Sequence, residues 1–201
     1  AAGLSMAMLT SGATPERTRR VGKRVEDALK RAPGNVVLMV IHADLKSLQG
    51  EYEEALRIYR NVLDVDHANV LALNNAAWLL AMQRRDLNDA FALVERAVAI
   101  AGELPHLQDT RGCVRLAMGQ IRQAIVDLEL SVAESPQPTT LLHLASALAR
   151  QGEAARAVRM LDRARQAGLR SDRVHPLDRA MLEELEAALK AERGKRAAGD
   201  V

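Results

Sequence analysis

A small side chain recurs about every 34 residues, and this repeat limits the fold more than any other feature of the chain. Two antiparallel helices approach closely only where one of them presents little side chain. Four segments carry a small residue, then a glycine or polar turn, then an alanine: Ala43…Gly50…Ala55, Ala77…Arg85…Ala90, Gly112…Gly119…Ala124 and Ala145…Gly152…Ala157. The final alanines are spaced 35, 34 and 33 residues apart. The pattern predicts four helix pairs in register.

The composition supports helices over strands. Apolar residues make up 48% of the chain but aromatic residues only 2%, and good helix formers fill the sequence. The periodicity predicts pairs at about 35–48 and 52–65, 69–83 and 87–100, 106–118 and 120–133, and 138–151 and 153–167. Thr14-Pro15-Glu16 is a typical helix start, and it predicts a helix reaching about Arg31. A last helix is predicted from Pro176 to about Arg193.

From about Asn35 to Leu169 the chain resembles the tetratricopeptide repeat family, on the period and on the placement of the small residues. The resemblance implies an all-α, right-handed superhelical solenoid of antiparallel helix pairs. The family's usual tryptophan and tyrosine in the first helix are missing: the first is replaced by Met39, Leu73, Gln108 and Leu141, and the second by Lys46, Leu80, Arg115 and Leu148. We therefore expect a binding surface particular to this chain.

We divide the chain by this repeat. The expected parts are a degenerate N-terminal repeat at 1–34, four repeats at 35–68, 69–103, 104–137 and 138–169, a capping helix at 170–193, and a disordered tail at 194–201. A terminal helix with one polar face is what a stack of repeats requires at its end.

The charge balance argues against a nucleic-acid partner. Basic residues number 28 and acidic residues 26, so the chain has no strong overall attraction for a polyanion. The densest basic run lies between Arg17 and Arg24, but acidic residues interrupt it and no aromatic residue that could stack on bases lies nearby. We interpret it as a solvated helix face. No stretch approaches the roughly 20 apolar residues that span a bilayer.

The sequence shows no catalytic constellation, no cofactor motif and no metal motif. The five histidines are far apart, at His42, His67, His106, His143 and His175, and none belongs to a metal-binding pair. The single cysteine, Cys113, excludes an internal disulfide. His106 precedes it by two helical turns, but no feature of the sequence lowers the pKa of this thiol, so we expect a small groove residue rather than a nucleophile.

The family resemblance implies that the first helices of successive pairs line a concave wall that binds a peptide or protein segment. Position by position, it nominates the following residues: Val37, Val40, Asp44, Leu71, Asn74, Asn75, Trp78, Met82, His106, Asp109, Cys113, Leu116, Leu142, His143, Ser146 and Arg150. Trp78 and Met82 would be an apolar anchor. For Trp78, packing between repeats is an equally good interpretation.

The expected function is a non-catalytic interaction module or assembly scaffold. Chaperone-binding members of the family clamp a terminal carboxylate with Lys and Asn, where this chain has Val40 and Asp44. An acidic C-terminal peptide is therefore not the expected ligand, and a neutral-to-basic, partly apolar segment is. Two alternatives remain: a recruiting or orienting arm of a larger multidomain enzyme, and a structural unit that self-associates.

Overall fold

The computed structural model describes residues 15–199, and every regular element in that range is helical. The α-helices are α1 (Pro15–Arg31), α2 (Val36–Leu48), α3 (Tyr52–Val65), α4 (Val70–Met82), α5 (Leu87–Ala101), α6 (Pro105–Ala117), α7 (Ile121–Glu134), α8 (Pro138–Arg150), α9 (Ala154–Gln166) and α10 (Pro176–Gly199). A short 3-10 helix spans Ser171–Arg173. The ends of α2 to α9 agree with the predicted ranges to within one residue.

Local sequence explains where the helices begin. The side chains of Asn35 and Asn69 cap α2 and α4 by accepting hydrogen bonds from the backbone amide of the third residue of each helix, at 3.1 and 3.0 Å. Proline opens α6 and α8, where its missing N–H removes no intrahelical bond. Between the helices of a pair, Gly119 adopts a positive φ of 78°, which a glycine reaches without strain.

The chain divides into two compact units at the junction between Glu103 and Leu104. In the N-terminal unit, α2 pairs with α3 and α4 with α5, and α1 packs against α2. In the C-terminal unit, α6 pairs with α7 and α8 with α9, and α10 packs mainly against α8. The predicted fold class, all-α with antiparallel helix pairs of the repeat type, is confirmed.

The small residues of the repeat lie at the helix contacts, as the period predicts. Ala43 and Ala55 are fully buried in the first pair, and Ala145 and Ala157 in the fourth. In the third pair the approach is closer still, because a Cβ added to Gly112 would stand 2.6 Å from Cγ of Leu128. Four residues after the alanine of each second helix, a larger buried residue fills the space beside the contact: Tyr59, Val94, Leu128 and Leu161.

The C-terminal helix is longer than the sequence suggested. We placed its end near Arg193 with a disordered tail beyond, whereas α10 continues to Gly199. Between Gly194 and Gly199 the segment contains only lysine, arginine and alanine and no proline, so good helix formers outweigh the one glycine inside it. The remainder of the predicted tail, 200–201, lies outside the described residues, as does the segment 1–14.

The surface of α1 carries the basic run found in the sequence. Arg19, Arg20, Lys23 and Arg24 are exposed, as expected for a solvated face. Within residues 15–199, no helix combines the length and the apolar character that crossing a membrane requires.

Candidate functional site

One stripe of α4 remains open in the N-terminal unit. Most residues of this helix are buried, but Leu71, Asn75, Trp78 and Met82 are exposed or half-buried. Their spacing of four, three and four residues places them along one face of the helix. Three of the four are apolar, which is unusual for the solvent side of a helix. We call these four residues the α4 stripe; all of them belong to the predicted binding wall.

A buried polar network fixes the base of this stripe. Asp44 Oδ1 accepts hydrogen bonds from the Tyr59 hydroxyl at 2.5 Å and from Asn75 Nδ2 at 2.9 Å. The Asn75 amide oxygen in turn accepts from Asn74 Nδ2 at 3.1 Å. Burial raises the pKa of Tyr59 well above its usual 10, and the Asp44 carboxylate raises it further. The phenol therefore stays a donor, and Asn75 is held in one orientation.

The remaining wall residues of this unit differ in exposure. Val37, one repeat before Leu71, has 68% of its surface exposed, whereas Val40, Asp44 and Asn74 are buried. The Asn74 side-chain oxygen has no hydrogen-bond partner among the described residues. The accessible part of the wall in this unit is therefore Val37 together with the α4 stripe.

In the C-terminal unit most of the predicted wall is covered by the chain itself. Leu182, Leu185 and Leu189 of α10 belong to one apolar core with the leucines of α8. Five predicted wall residues are buried in this unit: Cys113, Leu116, Leu142, His143 and Ser146. Asp109 is half-buried, and only His106 and Arg150 are exposed. These five buried side chains present no surface to a partner.

A cluster of titratable side chains lies beneath α10. His143 Nδ1 is 2.8 Å from Asp109 Oδ1, and His143 Nε2 is 3.1 Å from Asp178 Oδ1. The Cys113 thiol completes the group, and ligand-type atoms of Asp109, Cys113 and His143 lie within 4.8 Å of one another. His143 has only 2% of its surface exposed. Helices α6, α8 and α10 thus meet at one imidazole.

Electrostatics keep this imidazole charged and the thiol neutral. Burial alone would lower the pKa of His143, but Asp109, with smaller contributions from Cys113 and Asp178, raises it well above 6.5. Burial raises the pKa of Cys113 to about 11, although His143 opposes that shift. A protonated, buried thiol is a poor nucleophile, so the cluster lacks the thiolate that cysteine catalysis requires.

Asp109, Cys113 and His143 were all predicted as wall residues, but their contacts with one another were not predicted. His106 was the histidine expected near Cys113, whereas the side chain beside the thiol is His143 from the next repeat. His143 follows Asp109 by 34 residues, so the repeat period itself was the signal that could have placed them together. Asp178 was missed, because nothing in the sequence says which turn of α10 meets α8.

A second buried charge cluster joins α6 to α7. Asp127, only 1% exposed, accepts from Arg111 Nη2 at 2.9 Å and from Arg115 Nη1 at 2.7 Å. Arg115 stands where the family has a ring, as does Lys46, whose ammonium lies 2.9 Å from Glu51. The charged ends of Arg115 and Lys46 therefore each contact a carboxylate. We assign the cluster around Asp127 a structural role.

A further cleft lies between α9 and α10. Val158, Leu161 and Leu189 form its apolar floor. The Arg165 guanidinium bridges to Glu186 across it at 2.6 Å. Because two of its charged lining residues already pair with each other, we do not assign this cleft a ligand.

Comparison with known proteins agrees with the repeat. Residues 139–168 match the family model described as a tetratricopeptide repeat. No curated protein matched the sequence.

Among solved structures, a thermophilic TPR protein of Thermus thermophilus is similar over 94% of this chain and 99% of its own, at 18% identity and a TM-score of 0.70. A tetratricopeptide repeat protein from Parabacteroides merdae is similar over 97% of this chain and 73% of its own, at 16% identity and a TM-score of 0.71. YrrB, described as a TPR protein with an unusual peptide-binding site, gives 17% identity and a TM-score of 0.57 over 88% of this chain and 98% of its own.

These structural likenesses establish the fold, and the match at 139–168 ties one helix pair directly to the family. The remaining pairs have the same period and the same small residues at their contacts. The chain therefore has the fold of tetratricopeptide repeat proteins, and one of its helix pairs matches the family model.

Proposed function

We propose that the chain is a non-catalytic protein-interaction module, and that its N-terminal unit binds a partner segment along the α4 stripe. The observation that carries this proposal is the apolar character of the one open face of α4. Leu71, Trp78 and Met82 lie on it, in a helix whose other faces are buried. Solvated helix faces are normally polar, so a mainly apolar stripe favours contact with another molecule.

The stripe has the parts that a peptide site needs. Trp78 offers a large, rigid surface of the kind that dominates binding energies, and Met82 adapts to different shapes. Asn75 supplies a polar group between Leu71 and Trp78, held in place through Asp44. A peptide lying along these residues would bury apolar side chains and meet one oriented amide. YrrB, a protein of similar fold, is described as having a peptide-binding site, which supports this class of ligand.

The expected ligand is a neutral-to-basic, partly apolar segment. Val37 and Leu71 extend the apolar surface at equivalent positions of two repeats. The acidic side chain of Asp44 bonds directly to Asn75 of the stripe, and α4 contains no lysine or arginine. An acidic peptide would therefore find no cationic partner along this helix.

A selection experiment tests the proposal. A library of displayed random peptides is selected on the immobilised chain, and the enriched peptides are titrated against variants. Trp78→Ala should weaken binding by more than about 2 kcal/mol, because it removes the central anchor. Val65→Ala is the matched control, since Val65 is an exposed apolar residue on the second helix of its pair.

The control should bind as the wild type does. Equal losses in both variants, or no loss for folded Trp78→Ala, would exclude the α4 stripe as the binding site.

A further inference from the structure

We propose that Asp109, Cys113 and His143 form a site for one zinc ion that ties α6 to α8. This site is separate from the proposed interaction surface, and it lies wholly within the C-terminal unit. Asp109 and Cys113 are four residues apart on α6, so they project from the same face of that helix. His143 meets them from α8, and the three donor atoms lie within 4.8 Å of one another.

The donor set selects the metal. One thiolate, one imidazole nitrogen and one carboxylate oxygen suit Zn²⁺, which takes sulfur, nitrogen and oxygen ligands in a tetrahedral arrangement. Mg²⁺ and Ca²⁺ prefer oxygen ligands throughout, so a site with a sulfur and a nitrogen disfavours them. All three ligands stand on packed helices rather than loops, and small side-chain movements would bring them to the ion.

Asp178 supplies the outer partner that zinc-binding histidines usually have. Its carboxylate lies 3.1 Å from His143 Nε2, on the side of the ring away from Asp109. A carboxylate on one ring nitrogen fixes the other nitrogen as the metal ligand and makes it more basic. The ring is thus oriented with Nδ1 toward Asp109 and Cys113.

The buried cluster accepts a divalent cation without a change in net charge. Binding displaces one proton from His143 Nδ1 and one from the Cys113 sulfur, and Zn²⁺ takes the place of both. The imidazole becomes neutral, the thiol becomes a thiolate, and Asp109 and Asp178 remain carboxylates. No bond to carbon changes and no electron is transferred. An exchange of this kind avoids the desolvation cost of adding charge to a buried site.

Two further features fit an ion at this place. The Asp109 side chain is 16% exposed, so the cluster opens to solvent at a carboxylate, where a cation would enter. Ser146 follows His143 by one helical turn, and its buried hydroxyl oxygen has no hydrogen-bond partner among the described residues. Because residues three apart share one side of a helix, that hydroxyl is available to a water that fills the fourth position of the ion.

Cobalt titration of the full chain tests the proposal. The protein is reduced, stripped of metal with a chelator, and titrated with Co²⁺, which replaces Zn²⁺ and absorbs visible light when four-coordinate. We expect a thiolate-to-cobalt absorption band that saturates at one ion per chain and is displaced by Zn²⁺. The wild-type spectrum does not depend on any variant folding. Zn²⁺ should also raise the melting temperature, because it binds the folded chain.

Variants assign the ligands. Asp178→Asn should keep the thiolate band but weaken affinity by roughly 10- to 100-fold, as expected for an outer partner. Cys113→Ala should abolish the band and weaken affinity more than Asp178→Asn does, with folding checked by circular dichroism. His67→Gln, which removes an exposed histidine of the other unit, should change nothing. Absence of the band in the folded wild type, or Co²⁺ affinity unaffected by Cys113→Ala, would overturn the proposal.

Discussion

The two units place different chemistry at the same position of their first helices. Asn75, Asp109 and His143 are each separated by 34 residues, so they are equivalent positions of α4, α6 and α8. In the N-terminal unit, Asn75 is half-buried and donates a neutral amide to Asp44. In the C-terminal unit, Asp109 and His143 bind each other, and Asp178 of α10 binds the same imidazole.

This difference shows how one repeat can serve two purposes. The small residues at the helix contacts are kept in both units, and they maintain the pairs. The position equivalent to Asn75 is free to vary because it lies outside those contacts. In one unit it borders an open apolar stripe, and in the other it anchors a helix of the same chain. Repeat identity therefore fixes the helix pairs but not which face is available to a partner.

Replacing the central histidine should give the largest effect. His143→Leu leaves the carboxylates of Asp109 and Asp178 without their shared cation, and breaking a buried pair typically costs about 3–5 kcal/mol. The matched change in the other unit, Asn75→Leu, removes one hydrogen bond to the Asp44 carboxylate and should cost less, about 1.5–3 kcal/mol. Hydrogen exchange of the α8 and α4 amides measures each unit separately.

The comparison fails if Asn75→Leu destabilises its unit as much as His143→Leu does. Equal costs would mean that the charged contacts of the C-terminal unit contribute no more than the amide network of the N-terminal unit.

The buried phenol of the N-terminal unit is the next most sensitive group. Tyr59→Phe removes the hydroxyl that donates to Asp44 at 2.5 Å, and a hydrogen bond to a charged group contributes about 1.5–3 kcal/mol. Exchange should accelerate in α2 to α5 and stay unchanged in α6 to α9. Acceleration in both units to the same extent would show that they do not respond separately.

A single methyl group tests the close helix contact of the C-terminal unit. Gly112→Ala places a Cβ within 2.6 Å of Leu128 Cγ, and overpacking of this kind costs about 1–3 kcal/mol. The equivalent residue in the N-terminal unit, Ala77, already carries this methyl group. Urea unfolding of the variant is compared with Gly34→Ala, where an added Cβ meets no atom within 4 Å. Equal midpoints for the two variants would contradict the contact.

The stability of the C-terminal unit should depend on pH through His143, and we expect this effect to be smaller than those of the substitutions above. The folded pKa of His143 lies above its usual 6.5, so its charge stabilises the metal-free C-terminal unit fully below about pH 6.5. This contribution is lost as the pH rises through the folded pKa. As the pH rises, the urea midpoint of the chelator-treated wild type should fall more than the midpoint of His143→Gln does. Parallel curves for the two proteins would contradict a charged His143.

The sequence predicted the helix pairs almost completely. Small residues at a fixed period mark the positions at which the two helices of each pair can pack closely. Ala55, Ala90, Ala124 and Ala157 were enough to place the pairs that contain them. The exposed wall was harder to predict, because burial depends on contacts made by distant helices. Leu142 and Ser146 have the period of wall residues, yet α10 and its neighbours bury them.

The contacts of individual side chains were the least predictable part. Asp178 reaches His143 only because α10 packs on α8 at one particular turn, and no local pattern encodes that turn. Tyr59 follows Ala55 by four residues, as the repeat requires of a large apolar residue, but its bond to Asp44 depends on the path of the side chain across the pair. Such contacts are set by tertiary packing, which overrides local propensity.

The central claim is that the open α4 stripe, rather than the covered face of α8, is where a partner binds. Trp78 is the only tryptophan in the chain, so its fluorescence reports on the stripe directly. Titration with a selected peptide should shift the Trp78 emission to shorter wavelength and protect it from a soluble quencher, because the indole loses contact with water. A peptide that binds with unchanged Trp78 emission and quenching would contradict the claim.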